Sequence, residues 1–266
     1  LGRLAAHSLG ALPEIQAGDD LAELIARPGA LHDGQIVTIA HKVISKAEGA
    51  TVDLRTVAPS TRARELAGQA ASASLAARGG GRAPAQAAGK DPRAVQVVLD
   101  QSREVIRAAN GVLICRTHHG FVCANAGVDT SNSPDGDILI VLPRDPDASA
   151  RRIRARLREL TGARVGVLIS DSFGRAWRHG QCDVAIGCAG LTPLDDWRGR
   201  ADSEGRELSA TWLAVADAIA ALADLARAKD SREPVVLIDG LERFVTDADG
   251  PGARALVRPL AEDLFR

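Results

Sequence analysis

Aromatic residues make up only 3% of this 266-residue chain, too few for the stacking platforms that bind single-stranded nucleic acid. Charge of one sign is also missing. The 33 Lys and Arg stand against 34 Asp and Glu, a formal net charge of −1, so no electrostatic footprint points to nucleic acid or an anionic membrane. Long apolar runs are absent: the longest, such as 165–169 and 137–142, are strand-sized and far short of a bilayer span. The N-terminus lacks the succession of charged, apolar and small residues that marks a secretory signal. A cytoplasmic protein with no nucleic-acid or membrane partner is expected. No Gly-x-x-x-x-Gly-Lys-Ser/Thr phosphate loop occurs. The four cysteines, Cys115, Cys123, Cys182 and Cys188, are too widely spaced for paired C-x-x-C zinc ligation and read as buried free thiols.

What is present can build a core: 45% of residues are hydrophobic and 25% charged, enough for one large domain or two intertwined small ones. Asp19-Asp20 cap a short helix over 21–26, which ends at Pro28-Gly29. A β-branched strand over 35–40 leads into Val43-Ile44-Ser45-Lys46-Ala47-Glu48-Gly49 and delivers Lys46 to a loop or helix start. Helix-favouring residues 60–77 run into an Ala/Gly-rich stretch, 72–90, with Gly79-Gly80-Gly81, read as a flexible insertion. Asp91-Pro92 opens a helix with Val95, Val98, Leu99, Val105 and Ile106 on one side. Strands are predicted over 111–116, 121–124 and 137–142, a helix over 147–160 with Ile153, Leu157 and Leu160 inward and many arginines outward, and a buried strand over 164–170. A Gly-rich stretch at 186–191, a loop over 195–208, a long helix over 210–228 and a strand over 234–238 follow. Helices mixed with non-alternating strand groups indicate an α+β fold.

Two loops carry clustered oxygen donors. Asn125-Ala126-Gly127-Val128-Asp129-Thr130-Ser131-Asn132 sets one carboxylate among neutral donors. That suits a hard divalent cation and the phosphates it bridges, and equally an Asx-rich turn between strands. Ser170-Asp171-Ser172-Phe173-Gly174-Arg175-Ala176-Trp177-Arg178 follows the buried strand. Asp171 and Ser172 can serve metal ions while Arg175 and Arg178 fork onto phosphate or carboxylate groups of a substrate; the alternative is a helix N-cap followed by solvated arginines. Lys46 can reach phosphates as a point charge or be a surface lysine. His118-His119, placed in a strand, would point to opposite faces and not converge on one ion. His41-Lys42 lies at the end of the strand that delivers Lys46.

Taken in order, the segments 12–21, Val43 to Gly49, Gly120 to Asn132, Asp145 to Ser149, Val165 to Arg178, Ala185 to Leu191, and those around Trp197-Arg198-Gly199-Arg200 and Val215-Ala216-Asp217 resemble the coenzyme F420:L-glutamate (gamma-glutamyl) ligases. The resemblance covers most of the chain. It implies one ligase domain over 1–266 made of two intertwined subdomains with mixed or antiparallel sheets, acting as a homodimer. It also implies GTP as cosubstrate, Mg2+ or Mn2+, and help from K+. By matching position, Asp129 and Asp171 would hold one divalent ion and Ser172 would contribute to a second. Leu12, Pro13, Glu14, Ile15, Lys46 and Asn132 would contact GTP, with His41 and Lys42 where the family also meets the nucleotide. The implied reaction is attack of the precursor (F420-0) carboxylate on the GTP γ-phosphate, then capture of the acyl phosphate by the amine of L-glutamate. Repetition on the γ-carboxylate would lengthen the tail. Three departures stand out. Ala228-Lys229-Asp230 occurs where some relatives place an acidic second-metal ligand, making Asp230 the nearest candidate. His41-Lys42 replaces small hydroxyl residues, and the Ala/Gly stretch has no assigned role. A flavin-binding extension found in bifunctional relatives has no counterpart up to Arg266, so ligase activity alone is expected.

Overall fold

The computed structural model describes residues 3–26, 31–76, 90–129 and 136–264, with the backbone alone for 70–76. In chain order the elements are β1 (Ala5–Ser8), α1 (Leu21–Ala26), β2 (Ile36–Ala40), α2 (His41–Ala47), β3 (Thr51–Asp53), α3 (Thr61–Ala76), α4 (Pro92–Asp100), β4 (Ser102–Ala109) and β5 (Val112–Thr117). There follow β6 (Val122–Ala124), β7 (Ile138–Ile140), α5 (Pro146–Thr161), β8 (Gly166–Arg175), β9 (Arg178–Ala189), β10 (Leu194–Asp196), β11 (Trp212–Ala214), α6 (Val215–Leu225) and β12 (Val235–Asp239). The fold is α+β with several sheets. Two compact units emerge: Leu1–Glu48 with Pro143–Arg266, and Gly49–Leu142.

The first unit is organised by a five-stranded sheet in the order β1-β12-β2-β8-β9. Only β2 and β8 run parallel; the other pairs are antiparallel. The first four residues of β2 and of β12 are buried, and near-continuous apolar runs are what strands covered on both faces require. The apolar stripe of α6, with Val215, Ala216, Ile219, Ala220 and Ala223, packs against Ile36, Leu168, Cys188, Val236 and Ile238 of the sheet. Each such Val or Ile side chain contributes roughly 1.5–3 kcal/mol by leaving water. Helix α5 packs on β8 and β9. It starts where Asp145 Oδ1 accepts the Ala148 N–H at 2.9 Å and ends at left-handed Gly162, a pairing of caps that satisfies both helix ends. Its first turn meets β9 at Gly187, where a Cβ would stand 2.5 Å from the Pro146 backbone, so only glycine fits.

The second unit holds the antiparallel sheet β4-β5-β6 and the β3-β7 pair. Ala63 and Ala67 of α3, Val95 and Val98 of α4, and Leu113 and Cys115 of β5 form its main core. Leu54, Val97, Leu139 and Val141 form a second.

Several predicted boundaries move. Helix α4 stops at Asp100, and Val105 and Ile106 belong to β4. There Ala109 pairs with Val112 across Asn110-Gly111, both at positive φ, the hairpin turn that Asn-Gly favours. Helix α6 is shorter than 210–228 because Trp212–Ala214 pairs with β10 instead. The Gly-rich stretch at 186–191 is largely the end of β9, and β8 continues to Arg175, so the Ser170 cluster lies on strand and not beyond one. His118 and His119 occupy the β5–β6 turn, not a strand. His118 Nε2 meets the Asp100 carbonyl at 2.9 Å and His119 stacks on Phe121. Arg154 of α5 is buried, not outward: its guanidinium donates to the carbonyls of Val165, Thr246 and Asp247 and to Asp249. Strand β1 had no counterpart in the sequence reading. All four cysteines are free thiols, and all but Cys182 are buried. Residues 72–76 continue α3; the rest of the Ala/Gly stretch, 77–89, lies outside the described residues. No helix among the described residues is long and apolar enough to cross a membrane.

Candidate functional site

In the first unit, the parallel register of β2 and β8 pairs Ala40 with Ser170. The next residues, His41 and Asp171, therefore emerge side by side. His41 Nε2 lies 3.3 Å from Asp171 Oδ1, its ring is buried, and its Nδ1 faces Ser45 Oγ at 3.4 Å. Asp171 Oδ1 also accepts the Ser172 N–H at 2.8 Å. These contacts converge on one carboxylate oxygen and leave Oδ2 without a hydrogen bond among the described residues. The side chain is only 15% exposed. The result is an oriented carboxylate with one oxygen held and one available, the hard donor that Mg2+ and Mn2+ prefer.

Side chains alternate along a strand, so Ser170 and Ser172 face the other side of β8. There they meet Asp183 of β9, paired directly across from Ser172. Ser172 Oγ donates to Asp183 Oδ1 at 2.6 Å and Ser170 Oγ to Oδ2 at 2.9 Å. Arg227 donates to Oδ2 at 2.5 Å and to Ser170 Oγ at 3.1 Å. Asp183 is 1% exposed. Burial on its own pushes this carboxyl up, but the Ser172 hydrogen bond, the Arg227 charge, the Ser170 hydrogen bond and the Lys229 charge outweigh it and hold it below the ordinary 3.8. The Lys229 ammonium donates to Ser172 Oγ at 2.9 Å and Asp224 Oδ1 at 2.5 Å and lies 3.5 Å from Asp183 Oδ1. Ser172 Oγ thus already donates to a carboxylate and accepts from a cation. Asp230 is exposed in the turn just beyond; the carboxylates that reach this face are Asp183 and Asp224.

The other expected residues fall into two groups. Lys46, in the last turn of α2, pairs with Glu14 at 2.5 Å, and the Gly18 N–H bonds the Ala47 carbonyl at 2.8 Å. Segment 12–18 is thereby tied to α2, with Ile15 buried and Pro13 and Glu14 exposed. Leu12 and Lys42 are partly buried. Arg175 and Arg178 flank the two-residue tip of the β8–β9 hairpin, where Trp177 is exposed at φ 60°. Arg175 bonds the His179 carbonyl at 2.5 Å.

In the second unit, Asp129 follows three residues in the left-handed region: Asn125 (φ 51°), Ala126 (φ 53°) and Gly127 (φ 70°). For Ala126, buried in the core of the unit, this conformation costs roughly 1–2 kcal/mol. Gly127 abuts Leu142, whose Cγ would be 2.8 Å from an added Cβ. Asp129 is then fixed by two backbone bonds to Ile140, at 2.9 and 3.0 Å. Asn132 lies outside the described residues. Among the described residues no three His, Cys, Asp or Glu side chains gather as a metal cluster.

Sequence reasoning did not find Asp183, Asp224 or Arg227. Asp183 stands in an apolar run, Asp-Val-Ala-Ile-Gly-Cys-Ala, and a carboxylate inside such a run was the available signal. Asp217, in the first turn of α6, is a further buried carboxylate. Burial raises its pKa, and it accepts the Ala185 N–H at 2.9 Å, joining α6 to β9.

Residues 10–240 match the protein family described as F420-0:Gamma-glutamyl ligase. The chain is similar to the coenzyme F420:L-glutamate ligase of Methanopyrus kandleri, 43% identical over 95% of this chain and 94% of that one. It is likewise similar to those of Methanocaldococcus jannaschii, 42% identical over 96% and 94%, and Methanothermobacter thermautotrophicus, 41% identical over 96% and 96%.

Proposed function

Because the chain belongs to the F420-0:gamma-glutamyl ligase family, we propose that it joins L-glutamate to the carboxylate of the coenzyme F420 precursor, F420-0, at the expense of GTP. The observation that carries this reading is end-to-end similarity to relatives of that name, at 43% identity for the Methanopyrus protein. The precursor carboxylate oxygen attacks the γ-phosphorus and GDP departs, leaving an acyl phosphate. The glutamate amine then attacks the acyl carbon, phosphate leaves, a proton is released and an amide remains. No protein nucleophile enters this sequence. Addition of a further glutamate through the γ-carboxylate extends the same chemistry.

On family membership we assign the carboxylates Asp171 and Asp129 to divalent-ion binding, Mg2+ or Mn2+. Bound there, the ion supplies neutralisation of phosphate charge, the principal need in phosphoryl transfer. Asp171 fits this role through its oriented carboxylate with one oxygen available. His41 holds that carboxylate in place from the buried side. Lys46 and the segment tied to its helix are assigned to the anionic nucleotide, and Arg175 and Arg178 to the acidic substrates. A second divalent ion at Ser172 does not fit, because the hydroxyl is engaged by Asp183 and by the Lys229 ammonium, and no step is derived through one. A K+ requirement and a homodimeric state belong to the same proposal and rest on family membership alone.

Incubation with F420-0, L-glutamate, GTP and Mn2+ should give a product heavier by one or more glutamyl residues, with one phosphate released per addition. Phosphate release without a glutamyl increment would point instead to a different carboxylate substrate. GTP binding without phosphate release would mark a binding module.

A further inference from the structure

We propose that Lys90 is a positioning residue for Asp129, acting through the side chain of Asn125. The inference rests on the metal role assigned above to Asp129.

Lys90 immediately precedes Asp91, the N-cap of α4. Lys90 lines a cavity of about 70 Å3 together with Leu66, Gln69, Val95, Asn110 and Leu113. Burial there lowers its pKa from 10.5, the direction expected when an ammonium leaves water. Among the described residues its hydrogen bond goes to Asn125 Oδ1, at 2.5 Å, an oxygen that also accepts the Leu113 N–H at 3.3 Å. A half-buried amine and a strand amide thus hold the same side-chain oxygen.

That oxygen belongs to the first of the three left-handed residues. Asparagine is one of the few side chains that tolerates this conformation, and here the same amide is also the anchor. With Asn125 pinned to α4 and β5, Ala126 is directed into the core and Gly127 against Leu142. Val128 then returns to extended geometry and Asp129 reaches its paired bonds with Ile140. A change of φ at Asn125 would swing every residue between it and that bridge. The anchor therefore decides where the Asp129 carboxylate stands, although neither Lys90 nor Asn125 needs to touch a ligand.

The test uses the full chain with GTP, reading Mn2+ affinity by electron paramagnetic resonance and exchange of the Asp129 amide by hydrogen–deuterium mass spectrometry. Lys90→Met should weaken Mn2+ by about tenfold or more, the usual effect of removing a group that orients a metal ligand, and speed exchange at Asp129. Asn125→Gly keeps the left-handed backbone accessible while deleting the acceptor, so it should show the same two changes even if Lys90→Met folds poorly. Combined with Asp129→Asn, neither substitution should weaken Mn2+ further. Unchanged affinity in Lys90→Met and Asn125→Gly, or losses that multiply in the double variants, overturns the positioning role. Unchanged Mn2+ binding in Asp129→Asn alone overturns the metal assignment first and the inference with it. Loss in Asp129→Asn without loss in the other two overturns the positioning alone.

Discussion

Asp171 and Asp129 are two carboxylates assigned to the same chemistry and placed by different physics. Asp171 lies on a long strand whose neighbours are buried, and its position beside His41 follows from the register of β2 and β8. To move it, the ladder of the whole first unit must shift. Asp129 stands outside the regular strands, after a left-handed turn whose first side chain is anchored, and its backbone bridges to Ile140. Irregular segments of that kind open at lower cost than a sheet does. The contrast teaches that breaking the buried contacts on the far face of β8 should be felt as global stability, whereas changes around Asp129 should be felt first as site geometry.

The largest effect should come from Arg227→Met. It removes from Asp183, 1% exposed, its buried cation and leaves only the solvated Lys229 near it; breaking a buried pair typically costs about 3–5 kcal/mol. Urea unfolding would show a large drop in midpoint; a loss below about 1 kcal/mol would break the claim that this side of β8 is held cooperatively. Acid should mimic the change. The Asp183 carboxyl is held below 3.8, so its pairing supports the fold fully above the unfolded carboxyl pKa and is lost as pH falls through its lower folded value. The wild type should therefore show a component of acid unfolding below about pH 4 that Arg227→Met lacks.

Asp171→Asn should lower turnover by on the order of 10²–10³-fold, the range for removing one group that faces developing charge. It keeps the shape of a side chain whose Oδ1 meets His41 and the Ser172 N–H, so the unfolding midpoint should stay near wild type. Gly127→Ala comes next. Its positive φ and the Leu142 side chain within 3 Å should cost about 1–2 kcal/mol. If it destabilises as strongly as Arg227→Met, the local character of the Asp129 loop is wrong.

How far the sequence revealed this arrangement depended on whether the information was local. The cap Asp91-Pro92, the strand over 35–40, the helix over 147–160 and the buried strand over 164–170 are written in short patterns, and α4, β2, α5 and β8 begin within two residues of them. The end of α4 was less legible, because Val105 and Ile106 suit an apolar helix face as well as a strand. The Asn110-Gly111 turn that settles it was present but went unread. The closeness of His41 and Asp171 could not be seen at all: it arises from two strands pairing across 130 residues of chain. Ser172 shows the opposite limit. Beside Asp171 in sequence it invites a shared role, yet alternation along β8 sends it to the far face, toward Asp183 and Lys229.

That far face offers the finest comparison, two cations on one carboxylate. Arg227 binds Asp183 Oδ2 with its side chain 10% exposed, while Lys229 approaches Oδ1 with its own 64% exposed. A guanidinium out of water cannot be replaced by solvent, whereas an exposed ammonium can, and exposed pairs contribute about 0–1 kcal/mol. Lys229→Ala should therefore cost less than about 1 kcal/mol. Added NaCl should erase even that difference, since screening weakens exposed pairs first. The loss in Arg227→Met should survive the same salt. If instead Lys229→Ala costs more than about 2 kcal/mol and the cost persists at high salt, the ammonium holds Ser172 and Asp183 as an integral part of the sheet. The distinction between a buried and a solvated cation on this carboxylate would then fail.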